Sequence, residues 1–316
     1  SSLGEARERE LLQQLKHQLK ISYLRKPIEF QVDSSIIYHY TSPEGLNSIL
    51  SNSKLRFWFS KYDCLNDFNE GKDIRGYFLK VLRRLLKEEE IDTEFFNIAC
   101  SSQNSQEGLF FYRTKTPILT DGKSDDLDNT RAHMCHYSLY VCSFSKDQDS
   151  LPMWNYYSKN GINRGYCLGL STEALLKMIT SKGSSLYLEE GGRMELYKVI
   201  YDLKLKEQLI RSYVLEVYKM KDMLNEEGIK ISLQAMLQEW LLLFKDEHFK
   251  HENEVRVILK LPDSLPEDID LEEDKKEALF GANCRASSCY IVPYVTREFD
   301  KTLLKKIVTG PLLNEE

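Results

Sequence analysis

Long apolar runs are missing from this chain of 316 residues. The longest, Trp240 to Phe244, is five residues, against the roughly 18–20 that a membrane helix needs. No membrane partner is therefore expected. A basic excess is missing as well: 43 Lys and Arg stand against 49 Asp and Glu, a net charge of −6. That balance argues against a dominant nucleic-acid-binding role. No C-x-x-C occurs among Cys64, Cys100, Cys135, Cys142, Cys167, Cys284 and Cys289, and their number is odd. Neither a disulfide framework nor a cysteine zinc site is expected, and a reducing cytoplasm is. Charge begins at Glu5, so the first residues do not read as a signal peptide.

Cofactor signatures are also absent. There is no G-x-G-x-x-G, no H-E-x-x-H and no G-x-S-x-G. Gly122-Lys123-Ser124 looks like the end of a phosphate loop, but position 117 is Pro where that motif requires Gly. His133-x-x-His136 and His248-x-x-His251 lack evident third and fourth ligands, and Asp125, Asp126 and Asp128 lack the full pattern of a calcium loop. No metal is expected.

What is present reads as an ordinary globular chain, 42% hydrophobic and 29% charged. Leu11, Leu12, Leu15 and Leu19 set a polar amphipathic helix within an N-terminal extension over 1–30. Residues 31–316 read as a single α+β domain. It opens with a strand over 35–41 and a short helix whose first turn carries Pro43. Next come a strand over 54–60 and a helix over 72–90 with Phe78, Leu82 and Leu85 inward. Residues 102–133 are polar and weakly periodic and read as a surface loop or insertion. Strands follow over 138–145 and 165–170. A hairpin then turns about Gly191-Gly192, and a helical segment fills about 204–250. A strand over 253–261, another near 288–292 and a final helix and strand over 299–309 complete the pattern, without the regular alternation of a doubly wound sheet.

Four groups of residues are candidates for chemistry. Side chains alternate along a strand, so Glu252, Glu254 and Arg256 share one face and Val255, Val257 and Leu259 the other. Three ionisable groups backed by an apolar face suit a polar cleft wall or a solvated outer face. His39, Tyr40 and Thr41 end the first strand, where an imidazole can bond a ribose hydroxyl and a phenol can stack on a ring, or where a histidine is simply buried and satisfied. Asn66, Asp67 and Glu70 lie before a helix, which makes capping the plainer explanation of their spacing. Ser143 and Ser145 sit on a central strand. Trp154 and Tyr157, three apart on a short helix, read as an aromatic wall or as core.

The order of these motifs carries more than any one of them. H-Y-T at 39–41, L-N-D-x-x-E at 65–70, C-S-F-S at 142–145 and M-W-x-x-Y at 153–157 come first. G-Y-C-L-G-L at 165–170, E-x-E-x-R at 252–256 and I-V-T-G-P at 307–311 complete the series. Together they resemble the bacterial family catalogued as domain of unknown function 2971, from about Tyr38 to Pro311. That family is in turn similar in motif order to ADP-ribosyltransferases.

This second resemblance implies a split, partly antiparallel sheet surrounded by helices, with NAD as substrate in a cleft and no metal. It matches His39 to the first-strand position, Ser143 and Ser145 to the central strand, and Glu254 to the last carboxylate of E-x-E. Breaking the nicotinamide–ribose bond builds positive charge on the sugar, which a fixed carboxylate stabilises. Glu254 suits that task and Glu252 the orientation of an acceptor. Arg256, Tyr40, Trp154 and Tyr157 would complete the binding site.

The expected activity is an ADP-ribosyltransferase or NAD glycohydrolase, of the kind used in phage defence or as toxins. The acceptor, whether protein, nucleic acid or water, stays open. Two other classes also stay open. One is a nucleotide-binding sensor or scaffold without turnover. The other is a hydrolase or nuclease placing Asp67, Glu70 and Glu254 around a divalent ion.

Overall fold

The computed structural model describes residues 27–64, 73–104, 109–115, 130–157, 164–183, 193–263, 273, 276–277, 281–286 and 291–311. The N-terminal helix read from Leu11, Leu12, Leu15 and Leu19 and the L-N-D-x-x-E residues Asn66, Asp67 and Glu70 lie outside them. The chain divides into two compact units, one from Ser1–Gln31, Asn69–Gly108 and Val199–Glu247, the other from Val32–Phe68, Leu109–Lys198 and His248–Glu316.

The described part of the first unit is mainly helical. Strand β1 (Ile36–Thr41) and helix α1 (Pro43–Leu50) belong to the second unit; the first opens, among the described residues, with a 3-10 turn at Ile28–Phe30 and continues with α2 (Asp73–Lys87) and α3 (Thr93–Ser101). Phe78, Leu82 and Leu85 of α2 are buried, as their spacing predicts. Asp92 caps α3, its Oδ1 accepting from the Phe95 amide at 2.8 Å.

The helical stretch read over about 204–250 is two helices and a buried tail. Asp202 caps Leu203–Lys219 and Asn225 caps Glu226–Trp240. The second helix stops at Trp240 because the next apolar residues have another partner: the Ile200 amide donates to the Leu243 carbonyl at 2.7 Å. Leu242, Leu243 and Phe244 are buried there. Phe30 packs edge-on against Trp240 at 5.3 Å.

The second unit is built on an antiparallel sheet. With β1 already placed, its strands are β2 (Leu55–Lys61), β3 (Leu109–Lys115), β4 (Thr130–Ser145), β5 (Tyr166–Ser171), β6 (Arg193–Lys198), β7 (Glu254–Pro262), β8 (Asn283–Ala286), β9 (Ile291–Phe299) and β10 (Leu304–Thr309). Every strand ladder among the described residues is antiparallel. The protein is therefore α+β in class, and the described strands of this sheet show no parallel ladder where a partly antiparallel sheet is expected. The path β10-β5-β1-β4-β2-β9-β8 is joined at β4 by β3 and by β7, which also pairs β6.

Two findings depart from the sequence reading. Within the segment read as a polar loop, Leu109–Lys115 pairs with Thr130–His136, so backbone pairing across the chain overrides weak local periodicity. In the C-terminal stretch read as helix then strand over 299–309, the strand is present as β10 but the helix is only a 3-10 turn at Lys301–Leu303, because the strand read near 288–292 runs on as β9 to Phe299.

The apolar face of the sheet gathers Ile37, Phe57, Phe59, Phe144, Val255, Val257 and Leu259. Helices α1 and α5 (Thr172–Gly183; α4 is Leu151–Tyr157) cover it with Ile49, Leu175 and Ile179. Ser42 caps α1 through the Gly45 amide at 3.2 Å, and Ser171 accepts from the Ala174 amide at the start of α5 at 3.3 Å.

Candidate functional site

The geometry of the site follows from the edges of β4. A strand has two hydrogen-bonding edges. Strand β7 fills one of them from Tyr137↔Pro262 to Ser145↔Glu254. Strands β1 and β2 therefore share the other: β1 meets it at Tyr38↔Ser145, and β2 at Ser60↔Val141 and Lys61↔Tyr140. Between these contacts, residues 142–144 of β4 have no ladder partner on this edge among the described strands.

His39 fills part of that interval. Its Nδ1–H donates to the Ser143 carbonyl at 3.0 Å, a bond that replaces the missing ladder. The ring packs edge-on to Phe57 at 5.2 Å and against Phe144 at 5.4 Å. Burial lowers the imidazole pKa below its ordinary value, with the carbonyl bond acting in the opposite direction. A neutral ring that donates from Nδ1 carries its lone pair on Nε2.

Directly opposed residues of an antiparallel pair share a face. Ser143↔Arg256 and Ser145↔Glu254 therefore put four polar side chains together, with Tyr38, opposite Ser145, beside them. His39 has the opposite parity and lies on the apolar face with Ile37. The structure thus brings Ser143, Ser145, Glu254 and Arg256 onto one face and joins His39 to them only through the Ser143 backbone.

Glu254 and Arg256 form a two-pronged ion pair, Nε to Oε1 at 2.8 Å and Nη2 to Oε2 at 3.0 Å. Glu254 is only 5% exposed and Arg256 2%. The same face continues through Lys260 and Glu195, 3.4 Å apart, and Glu195 and Arg193, 2.6 Å apart. All nine residues of β7 are buried.

Glu252 does not share that strand face. It ends the 3-10 turn Glu247–Glu252, and Asn253 follows with a φ of 45° that interrupts the extended backbone. The turn is fixed by polar bonds. Asn253 Nδ2 donates to Asp147 Oδ1 at 3.1 Å, and Ser145 Oγ donates to the Glu252 carbonyl at 2.7 Å while accepting from the Asp147 amide at 3.1 Å. Fully buried Ser145 thus ties two loops together.

The aromatic candidates separate. Tyr40 and Trp154 pack edge-on at 4.7 Å in a small core with Tyr38, Met153 and Cys167. Trp154 Nε1 donates to Asp149 Oδ1 at 2.7 Å, and the Tyr40 hydroxyl donates to the Asp147 carbonyl at 2.7 Å. Tyr157 is 46% exposed, so it does not extend a wall from Trp154, which is 2% exposed.

Burial raises the Tyr40 phenol and the Cys142 thiol well above their ordinary ranges and pushes Cys167 up to about 12. These three groups are protonated at neutral pH and are not nucleophiles in this state. Thr41 closes β1, and its Oγ1 would lie 2.0 Å from any Cβ at Gly45, so glycine is what lets the helix start this close to the strand. His251 donates Nδ1–H to the His248 carbonyl at 2.9 Å and accepts the Tyr156 hydroxyl on Nε2 at 3.1 Å.

Sequence reasoning passed over the second half of this polar face. Arg193, Glu195 and Lys260 carry no motif, although their period-two spacing beside apolar neighbours was the available signal.

Fold and site together define an α+β protein on an antiparallel sheet, with a polar, ion-paired face beside the stretch of β4 where His39 stands in for ladder pairing. Residues 153–257 are similar to the family described as "Protein of unknown function (DUF2971)". The matched stretch includes Trp154, Tyr157, Glu252, Glu254 and Arg256. No curated protein and no solved structure matches the chain. No helix among the described residues is long and apolar enough to cross a membrane.

Proposed function

We propose that the chain binds NAD on the face shared by Tyr38, Ser143 and Glu254 and cleaves its nicotinamide–ribose bond, passing ADP-ribose to an acceptor or to water. The observation that carries this reading is Glu254, fixed on β7 directly opposite Ser145, beside the interval where β1 and β2 part along β4. When the glycosidic bond breaks, its electron pair leaves with nicotinamide and positive charge develops on the ribose. A carboxylate on a rigid strand stabilises that charge without having to reorganise. The oxygen of water or of the acceptor then forms the new bond and gives up its proton. Glu252, on the turn leading into β7, is the residue assigned to orient that acceptor.

The Arg256 fork does not by itself preclude this role. A carboxylate offers about four lone-pair sites, and the fork takes two of them. The same fork nevertheless favours a second reading, binding without turnover. A neutralised, nearly enclosed Glu254 stabilises developing positive charge less than a lone carboxylate does.

Incubating the full chain with NAD separates the two readings. Under the first, nicotinamide is released, and Glu254→Gln abolishes release while NAD binding, measured by calorimetry, persists. Binding without release selects the second reading, and absence of both overturns the two together.

A further inference from the structure

The sheet face that carries Ser60 also carries Trp58, two residues earlier on β2. Ser60↔Tyr294 and Trp58↔Thr296 are opposed, so Tyr294 is the diagonal neighbour of Trp58 on that face. The two rings stack, with centroids 4.5 Å apart and planes 27° from parallel. Trp58 is 43% exposed, whereas Trp154 and Trp240, the other tryptophans, are buried.

A cation flanks the pair. Asn283↔Tyr294 and Arg285↔Val292 put Arg285 on the same face. Arg285 Nη2 donates to Ser60 Oγ at 3.1 Å, and its buried Nε meets no acceptor in the structure. Arg56, further along β2, has Glu298 at 3.7 Å. Among the described residues, Arg285 has no carboxylate partner. Single exposed aromatics are ordinary on protein surfaces. A stacked pair held on paired strands, with an acid-free guanidinium next to it, is a more specific arrangement.

We propose that Trp58, Tyr294 and Arg285 form a nucleotide-binding platform, with the base stacked on Trp58 and a phosphate oxygen accepting from Arg285. Any base presents a flat π face to such a ring, and a guanidinium fork matches phosphate oxygens. The platform takes only its choice of probe from the NAD reading, since its residues are distinct from Glu254 and Ser143. The shared chemistry, base plus phosphate, occurs in a free nucleotide and in a single strand of nucleic acid.

The test is calorimetric titration of the full chain with ADP, adenosine and a short oligothymidylate. ADP is expected to bind and adenosine to bind more weakly. Trp58→Ala and Arg285→Gln should each weaken ADP about tenfold or more, while Trp58→Phe stays within about threefold. Quenching of tryptophan fluorescence by ADP should vanish in Trp58→Phe although binding remains, a signature that lost folding does not produce. Tighter binding of the oligothymidylate, equally sensitive to Trp58→Ala, assigns the platform to a single strand.

The proposal is overturned if neither ADP nor the oligothymidylate binds or if binding ignores Trp58→Ala and Arg285→Gln. It is also overturned if Trp58→Ala changes only self-association by sedimentation. ADP binding without nicotinamide release would sink the catalytic reading alone, and release with no Trp58-dependent binding would sink the platform alone.

Discussion

Glu254 and Arg256 are a charge pair withdrawn from water, and each neutralises what burial would make costly in the other. Arg256→Met should therefore destabilise the fold by about 3–5 kcal/mol, because it leaves a buried carboxylate without its fork. Glu254→Gln should cost less, since the amide oxygen still accepts from Arg256. The pair Glu254→Leu with Arg256→Met should recover much of the loss. Urea unfolding of the three variants checks the order, and additive losses would show that the two residues do not act as a unit. His39 offers a second test at this scale. Its folded pKa lies below the unfolded value of 6.5, chiefly through burial, so the unfolded chain takes up the proton first. Stability contributed by the neutral ring is full above about pH 6.5 and declines as pH falls below it, by at most about 1.4 kcal/mol per pH unit. His39→Gln should remove that part of the slope, which is read by thermal melts between about pH 7.5 and 5.

Elements form here through local chemistry as much as through packing. Asp92 holds the start of α3 and also accepts from Lys221 and, at 3.1 Å, from the Tyr218 hydroxyl. The Lys221 bond, then the Phe95 amide, lowers its carboxyl to about 2 from 3.8. That stabilisation is present above about pH 4 and disappears as pH falls toward 2. Asp92→Ala should cost about 0.5–2 kcal/mol at neutral pH from the cap and flatten the acid limb of the stability curve. Added salt should weaken the Lys221 component first, because that pair is partly exposed.

Such signals were legible beforehand where alternation or a capping residue stood alone. Pro43 marks a helix start, and Val255, Val257 and Leu259 read correctly as core. What alternation could not reveal was the second buried face of β7. A strand covered on both sides normally reads as a continuous apolar run, but here Glu254, Arg256 and Lys260 are enclosed as ion pairs and imitate an open, polar face. Glu252 leaves the strand face for a different reason. The positive φ at Asn253 ends the period-two rule one residue before the strand begins, and nothing in E-N-E announces it. Strand β3 was hidden because Leu109 to Tyr112 is apolar without alternation, and its partner comes only after Thr130.

At the scale of the whole molecule, the described core falls into two units, each with its own buried apolar residues, so stability need not be uniform along the chain. In the sheet, β7 has β4 on one edge and β6 on the other, and every one of its nine residues is buried. Strand β8 has four residues, pairs only with β9 among the described strands, and leaves Asn283 and Cys284 exposed. Amides open at a free-energy cost that follows burial and pairing. Hydrogen exchange followed by mass spectrometry should therefore find peptides across 254–262 among the slowest in the chain and those across 283–286 among the fastest in the sheet. Arg256→Met should accelerate exchange in 254–262 and in the facing stretch 137–145 together, because the two strands are joined residue by residue along that ladder. Acceleration confined to 254–262 would mean that the ion pair steadies only its own strand. The face on which the site depends would then be held by β4, not by the buried charges.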